Sequence, residues 1–393
     1  KTNSSGGSSS GGSTGGETQT PTITVTGTKV VASSDGTGSA LGETSTYLGN
    51  TLYINFEHSV TGGTTSVSPS LPYAVTANGT YNFTVTGTVN GKSYTKNVSV
   101  TVNQFKTAKD YVAANVEVTY PGGNVWIPEG FKVADDSAST VQGGVVIEDK
   151  DGNQFVWVPV ATLADYKRTW YTGDGSFSDY SEALPEDEKT SVERYKGFYI
   201  GRYEAGDKES TGTTKATFRT SSSNTSNSVT IKADQVPYNY VTRTQAISLA
   251  EGFKTQQGYK AKTKLVSSYA WDTTIAFIEK TVNNYGSSSS QGNYSNTSIT
   301  YKDITYESKP EKTKAEDSRL LVATGQTTPV CNIYDMGGNV WEWTTESYSL
   351  TSTPYAKRGG SCFNGFAIGP AGYRYGNSDN ADVGLGFRLT LFM

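Results

Sequence analysis

Two short frames near the C-terminus, Arg358-Gly359-Gly360-Ser361 and Gly386-Phe387-Arg388-Leu389, enclose a segment of different character, residues 362–385. Phe363, Phe366, Ile368, Tyr373, Tyr375 and Leu385 are interspersed there with Gly, Asn, Asp and Ser, and Lys, Glu, Gln, Met and Trp are missing. At a background usage of roughly a sixth for those five types, a window of this length lacks them about one time in eighty. Aromatic and small polar side chains make the composition of a binding surface.

The inventory of reactive side chains is short. The chain has one histidine, His58, and two cysteines, Cys331 and Cys362. A structural zinc site takes about four Cys or His ligands and a catalytic one about three protein ligands. A facial-triad iron site needs two histidines. A Ser-His-Asp triad would have to use His58, far in sequence from the aromatic-rich part. Pairing of Cys331 with Cys362 is left open by the sequence. With 33 basic and 37 acidic residues there is no basic excess to hold nucleic acid. No run approaches the roughly 18 apolar residues of a membrane span. The chain starts at Lys1 without Met, which fits a fragment or processed product.

The 393 residues suffice for two or three domains. Residues 1–20 (KTNSSGGSSSGGSTGGETQT) read as a flexible tether. Residues 21–103 carry short alternating runs, such as Thr51-Leu52-Tyr53-Ile54-Asn55-Phe56 and Asn97-Val98-Ser99-Val100-Thr101-Val102, and Asn90-Gly91 is a hairpin signal. An all-β immunoglobulin-like sandwich of the cell-surface or phage kind is expected, serving as a spacer. Residues 104–124 read as a connector, with a short helix around Ala108–Asn115. From 125 to 393 the pattern is α+β. Strands are expected at Phe155–Val160 and Gly197–Glu204, and helices at Arg243–Phe253 and Ser267–Val282. The Ser/Asn/Gly-rich stretch between 280 and 310 is long enough for an insertion or a lid. Glu182, Glu186, Asp187, Glu188 and Glu193 read as a solvated acidic loop.

Several motifs now line up in order. They are Phe155-Val156-Trp157-Val158-Pro159, Gly197-Phe198-Tyr199-Ile200-Gly201-Arg202-Tyr203-Glu204, Val241-Thr242-Arg243-Thr244-Gln245-Ala246 and Leu265-Val266-Ser267-Ser268-Tyr269-Ala270-Trp271. Tyr334-Asp335-Met336-Gly337-Gly338-Asn339-Val340-Trp341-Glu342-Trp343 follows, then the two terminal frames. The series resembles the formylglycine-generating-enzyme branch of the C-type lectin fold, over roughly 125–393. In that branch the sulfatase-activating oxidases bind copper through two cysteines placed shortly after Gly-Gly-Ser. Here Cys362 follows Gly-Gly-Ser and no second cysteine comes after it. The ergothioneine-type oxidases need several iron-binding histidines, and 125–393 has none. Both enzymatic classes fail on ligand count.

The remaining class is the variable protein of diversity-generating retroelements. Its terminal segment is rewritten at adenines, mostly in Asn-type codons. The codons that result end in a pyrimidine and cannot encode Lys, Glu, Gln, Met or Trp, the same set missing from 362–385. This resemblance implies a non-enzymatic binding protein, extracellular, on a phage tail or bacterial surface. Its partner would be a protein or glycan ligand on a target cell surface, with homo-oligomerisation left open. The expected ligand-binding positions are Cys362, Phe363, Phe366, Ala367, Ile368, Tyr373, Tyr375, Asn377, Asp379, Asn380, Asp382, Val383 and Leu385. The expected scaffold is Asn339, Trp341, Glu342, Trp343, Arg358, Phe387 and Arg388. No cofactor is expected, except that the resemblance brings a calcium reading for Asn339 and Glu342. Their alternative role is structural hydrogen bonding.

Overall fold

The computed structural model describes residues 20–42, 47, 51–105, 111–211, 215–221, 228–288 and 290–393. The tether reading of residues 1–19 lies outside them. So does the start of the connector helix, and the described residues 111–115 carry no helix. Two compact units change over in sequence between Phe105 and Lys106.

The first unit is built from two three-stranded antiparallel sheets. Ile23–Val31, Leu52–Val60 and Tyr73–Val75 form one, and Thr64–Ser68, Gly79–Val89 and Lys92–Val102 the other. Alternation places Leu52, Ile54 and Phe56 inside from one sheet and Phe83 and Val85 from the other. The Phe56 ring meets that of Phe83 edge-on at 5.4 Å, so the sheets share one interior. Asn90 and Gly91 both have positive φ, +51° and +75°, as a two-residue hairpin turn of the primed type requires.

The second unit contains a six-stranded antiparallel sheet. Its order is Lys262–Leu265, Leu389–Phe392, Gly197–Gly201, Gln154–Pro159, Val146–Glu148, Lys132–Val133. Its middle strands are buried on both faces, which is why they read as continuous apolar runs. Phe155, Trp157, Tyr199, Leu389 and Leu391 share a core cluster with Ala246, Ala250 and Phe253 of the helix Arg243–Gln257. Val156, Val158, Phe198 and Ile200 share another with Trp271, Ile275 and Ile278 of the helix Ser268–Glu279. Thr242 caps the first helix in a capping box with Gln245, and Gly258 ends it at φ +74°. Ser267 caps the second.

Two expectations need correction. The stretch 104–124 is more than a connector. Val116–Tyr120 pairs with Gly123–Ile127, and Val118 and Tyr120 enter the core of the second unit. The acidic cluster is not a solvated loop either, because Glu186–Tyr195 is a helix. Glu188 is buried and accepts from Tyr166 Oη at 2.6 Å and Ser267 Oγ at 2.7 Å, with Lys264 Nζ at 3.1 Å. Those partners are remote in sequence, so the cluster's composition alone could not reveal them.

The central sheet also explains Gly197. A Cβ there would overlap the Trp157 indole, which is fully buried and has no room to shift. Gly197→Ala should cost about 1–3 kcal/mol by overpacking. All six tryptophans (126, 157, 170, 271, 341 and 343) lie in the second unit, so tryptophan fluorescence during urea unfolding reads this loss directly.

Candidate functional site: an aromatic face over a buried ionic floor

A second sheet presents the terminal segment. Its core is Trp341–Tyr348, Tyr355–Arg358 and Tyr373–Asn377, with Leu385–Phe387 added parallel to the first strand. The register pairs Glu342 with Arg358 and Trp343 with Lys357, then Lys357 with Tyr375 and Arg358 with Arg374. Side chains alternate between faces along a strand. Trp341, Trp343, Lys357, Tyr373 and Tyr375 therefore share one face, and Glu342, Glu346, Arg358 and Arg374 share the other.

The second face is a buried ionic floor. Asp272, from the helix Ser268–Glu279, receives Arg358 Nη2 at 2.6 Å on one oxygen and Arg374 Nη2 at 2.5 Å on the other. Arg374 Nε donates to both oxygens of Glu346, at 3.0 and 3.1 Å, and Arg168 Nη2 reaches Glu346 at 2.8 Å. Arg358, Arg374, Asp272 and Glu346 are all fully buried. Breaking such a cluster by removing one partner is far costlier than the cluster's net worth, because a charge is left unpaired.

The terminal frame is pinned by a separate pair. Arg388 grips both oxygens of Glu342, at 2.7–3.1 Å, and donates to the carbonyls of Gly201 and Tyr334 at 2.9 Å each. Asn339 sits at φ +55° and acts as a hub. Its amide donates to Glu204 and accepts from Asn293 Nδ2 at 2.9 Å and Val322 N at 3.1 Å. Its carbonyl accepts the Cys362 N–H at 3.0 Å. The calcium reading of Asn339 and Glu342 does not fit this geometry. Glu342 is neutralised by Arg388, and Asn339 is spent on protein partners. Among the described residues, no group of three or more His, Cys, Asp or Glu is arranged to hold a metal ion.

The polar stretch read as an insertion or lid is a buttress around residues 292–298. Asn293 bridges to Gly338, and Tyr294 is wholly buried with its hydroxyl on the Gly359 carbonyl at 3.2 Å. Lys314 holds this turn from within. Its Nζ donates to the carbonyls of Tyr294 at 2.7 Å, Thr297 at 2.6 Å and Ser318 at 3.1 Å. The turn reaches the terminal segment directly. Ser295 N donates to the Asn364 carbonyl at 2.9 Å, and Asn296 Oδ1 accepts from Phe366 N at 3.0 Å.

The structure sorts the segment 362–385 into two kinds of position. Cys362 and Leu385, read as surface, are buried. Burial pushes the Cys362 thiol up to about 12, and Leu385 pairs with Trp341 inside the sheet. Both cysteines are free thiols. Arg374 and Gly376 face the floor. Tyr373, Tyr375, Asn377, Ala367, Ile368, Asp379, Asn380 and Asp382 are exposed or half-buried, with Ile368 at 67% and Tyr375 at 42%. Phe363 is half-buried over Gly384, and Phe366 packs edge-on against Tyr294 at 6.3 Å. Asp379 accepts from Thr244 at the start of the helix Arg243–Gln257. Val383 instead lines a cavity of about 350 Å³ with Phe218, Ile304 and Leu320.

The open part of the aromatic face thus holds Tyr373 and Tyr375 beside Trp341, with ring centroids 6.0 and 5.8 Å from the indole. Trp341 is 8% exposed and its Nε1 donates to Asn364 Oδ1 at 3.0 Å, so it belongs to scaffold and face alike. Two contributors escaped the sequence reading, Lys357 and Asn296. Lys357 was within reach: a strand through Arg358 that points Arg358 inward must point Lys357 outward. Asn296 carried no signal in its own sequence neighbourhood.

Neighbouring positions on one strand should then respond oppositely. Arg374→Met leaves Asp272 and Glu346 short of a buried cation and should cost about 3–5 kcal/mol. Tyr375→Ser, one residue on, should stay within about 1 kcal/mol. Urea denaturation followed by tryptophan fluorescence compares the two.

No curated protein matches the chain. Among solved structures, Treponema denticola variable protein 1 is similar at 12% identity with a TM-score of 0.36, over 62% of this chain and 96% of that one. Residues 159–391 match the family described as the sulfatase-modifying factor enzyme 1-like domain. That span is more than half of the 393 residues, and the chain belongs to this family.

Proposed function

We propose that the chain is a non-enzymatic ligand-binding protein of C-type lectin fold, whose terminal surface is diversified by a retroelement. The observation that carries this reading is the partition within 362–385. The outward positions on the strand Tyr373–Asn377 are Tyr373, Tyr375 and Asn377, all residues that a pyrimidine-ending codon can encode. The inward ones, Arg374 and Gly376, are tied to the floor or packed on Tyr348. A surface built this way can change its contacts without disturbing its support. The aromatic, small-polar composition suits recognition, since Tyr supplies contact area at low entropic cost.

The cysteines also favour binding over oxidation chemistry. Cys331 Sγ lies against Thr281 Oγ1 and Gln142 Nε2, whereas Cys362 is sealed under the segment with Asn339 holding its N–H. They share no partner, and a copper site of the enzymatic kind needs two soft ligands together. In the same reading the first unit is an immunoglobulin-like spacer. The protein stands on a phage tail or bacterial surface and recognises a partner on a target cell.

Sequencing the 3′ end of the gene across a natural population tests this. Substitutions should fall at the codons of exposed or half-buried positions such as Phe363, Ile368, Tyr373 and Tyr375, each traceable to an adenine in a nearby template copy beside a reverse transcriptase gene. Substitutions spread equally over Arg374, Gly376 and Phe387, with no template copy, would refute it.

A further inference from the structure

Lys357 is the unexplained charge on the aromatic face. It stands on the strand Tyr355–Arg358, outside the segment 362–385. Its Nζ lies 5.1 Å from the centroids of both the Trp341 and Tyr375 rings. The ammonium has three donors, yet among the described residues it donates to no acceptor. Lys357 is half-buried, so its ammonium keeps some access to water while the two rings cover part of it. Cation–π contact with two rings attracts the charge but satisfies none of the donors.

The groups that face Lys357 are few. The strand Trp341–Tyr348 offers Trp341 and Trp343, since Glu342 turns away to Arg388. The strand Tyr373–Asn377 offers Tyr373 and Tyr375, since Arg374 turns to Asp272 and Glu346. Asp382 is the acid that acts on Lys357, and its Oδ1 is engaged by the Gly384 N–H at 3.0 Å. Burial holds the Lys357 ammonium down to about 8, with Asp382 opposing the fall. The charge of Asp382 reaches the cation, but no carboxylate among the described residues accepts a hydrogen bond from it, which leaves its donors open to an anion from outside.

We propose that Lys357 anchors a carboxylate of the bound partner, an Asp or Glu on a protein surface with apolar neighbours. This rests on the ligand-binding reading above and gives it a ligand class. A single ammonium between two rings matches one carboxylate. Phosphate recognition usually draws on arginine forks, and the three fully buried arginines, Arg358, Arg374 and Arg388, are committed inside. Ile368, exposed at 67%, suits an apolar protein side chain better than a sugar. Because Lys357 lies outside the rewritten segment, the anchor is common to every variant the segment can display. The segment then chooses the partner, and Lys357 supplies a constant contact.

A random peptide library and an array of neutral and uronate glycans, both probed with the full chain, test this. Peptides retained by the wild type should be enriched in Asp or Glu beside apolar residues. Lys357→Met should lose that enrichment and weaken a selected acidic peptide about tenfold or more, with Lys357→Arg restoring much of it. Binding of that peptide should fall as pH rises through 8 and beyond, because only the protonated amine pairs with a carboxylate. An unchanged acidic preference in a folded Lys357→Met protein overturns the proposal alone. Retention of uronate glycans in place of peptides overturns the protein source. Retention of nothing by the folded wild type overturns the binding reading on which the proposal rests.

Discussion

Asp272 lies between Arg358 and Arg374, one carboxylate oxygen to each, and Glu346 closes the network from the strand Trp341–Tyr348 of the same sheet. Those charges have no water to fall back on. In a low-dielectric interior their mutual pairing is a condition of folding more than a source of net stability. The consequence is geometric. The strand that carries Tyr373 and Tyr375 is fixed in register by the arginine between them, whatever those two outward residues are. Arg388 on Glu342 does the same for the closing frame, and Asn339 does it for the opening one.

This arrangement separates two requirements that usually conflict. A binding surface must be free to change, and a fold must not. Period-two alternation on one strand meets both, since adjacent residues answer to different surroundings. The helix Ser268–Glu279 supplies Asp272 from below, and the turn at 292–298 supports the Asn364–Phe366 stretch from the side. Lys314 completes the support by binding the carbonyls of Tyr294, Thr297 and Ser318. Lys357 and Trp341 remain at the border, outside the segment 362–385 yet on the aromatic face.

Much of this is legible in the sequence. The frames Arg358–Ser361 and Gly386–Leu389, the helices expected from Arg243 and Ser267, and the apolar strands from Phe155 and Gly197 all follow from local pattern. What failed did so for definable reasons. Cys362 and Leu385 belong to the right residue types for a rewritten surface, but residue type does not reveal which way a side chain points. The polar composition between 280 and 310 reads as an insertion or a lid because the support of residues 292–298 comes largely from backbone bonds and from Lys314, neither of which leaves a compositional trace. Glu188 looked solvated because its partners, Tyr166, Lys264 and Ser267, are assembled only by the fold.

The central claim is that burial, and not position within 362–385, decides which residues can be replaced. Saturation mutagenesis of residues 355–393, scored for folded protein on a cell surface, measures this most directly. Tolerance should alternate along the strand, high at Tyr373, Tyr375 and Asn377 and low at Arg374 and Gly376. It should also be high at Ala367 and Ile368, and low at Cys362, Leu385 and Arg388. Equal intolerance at Tyr373, Tyr375 and Arg374 would contradict the claim and make the aromatic face part of the core.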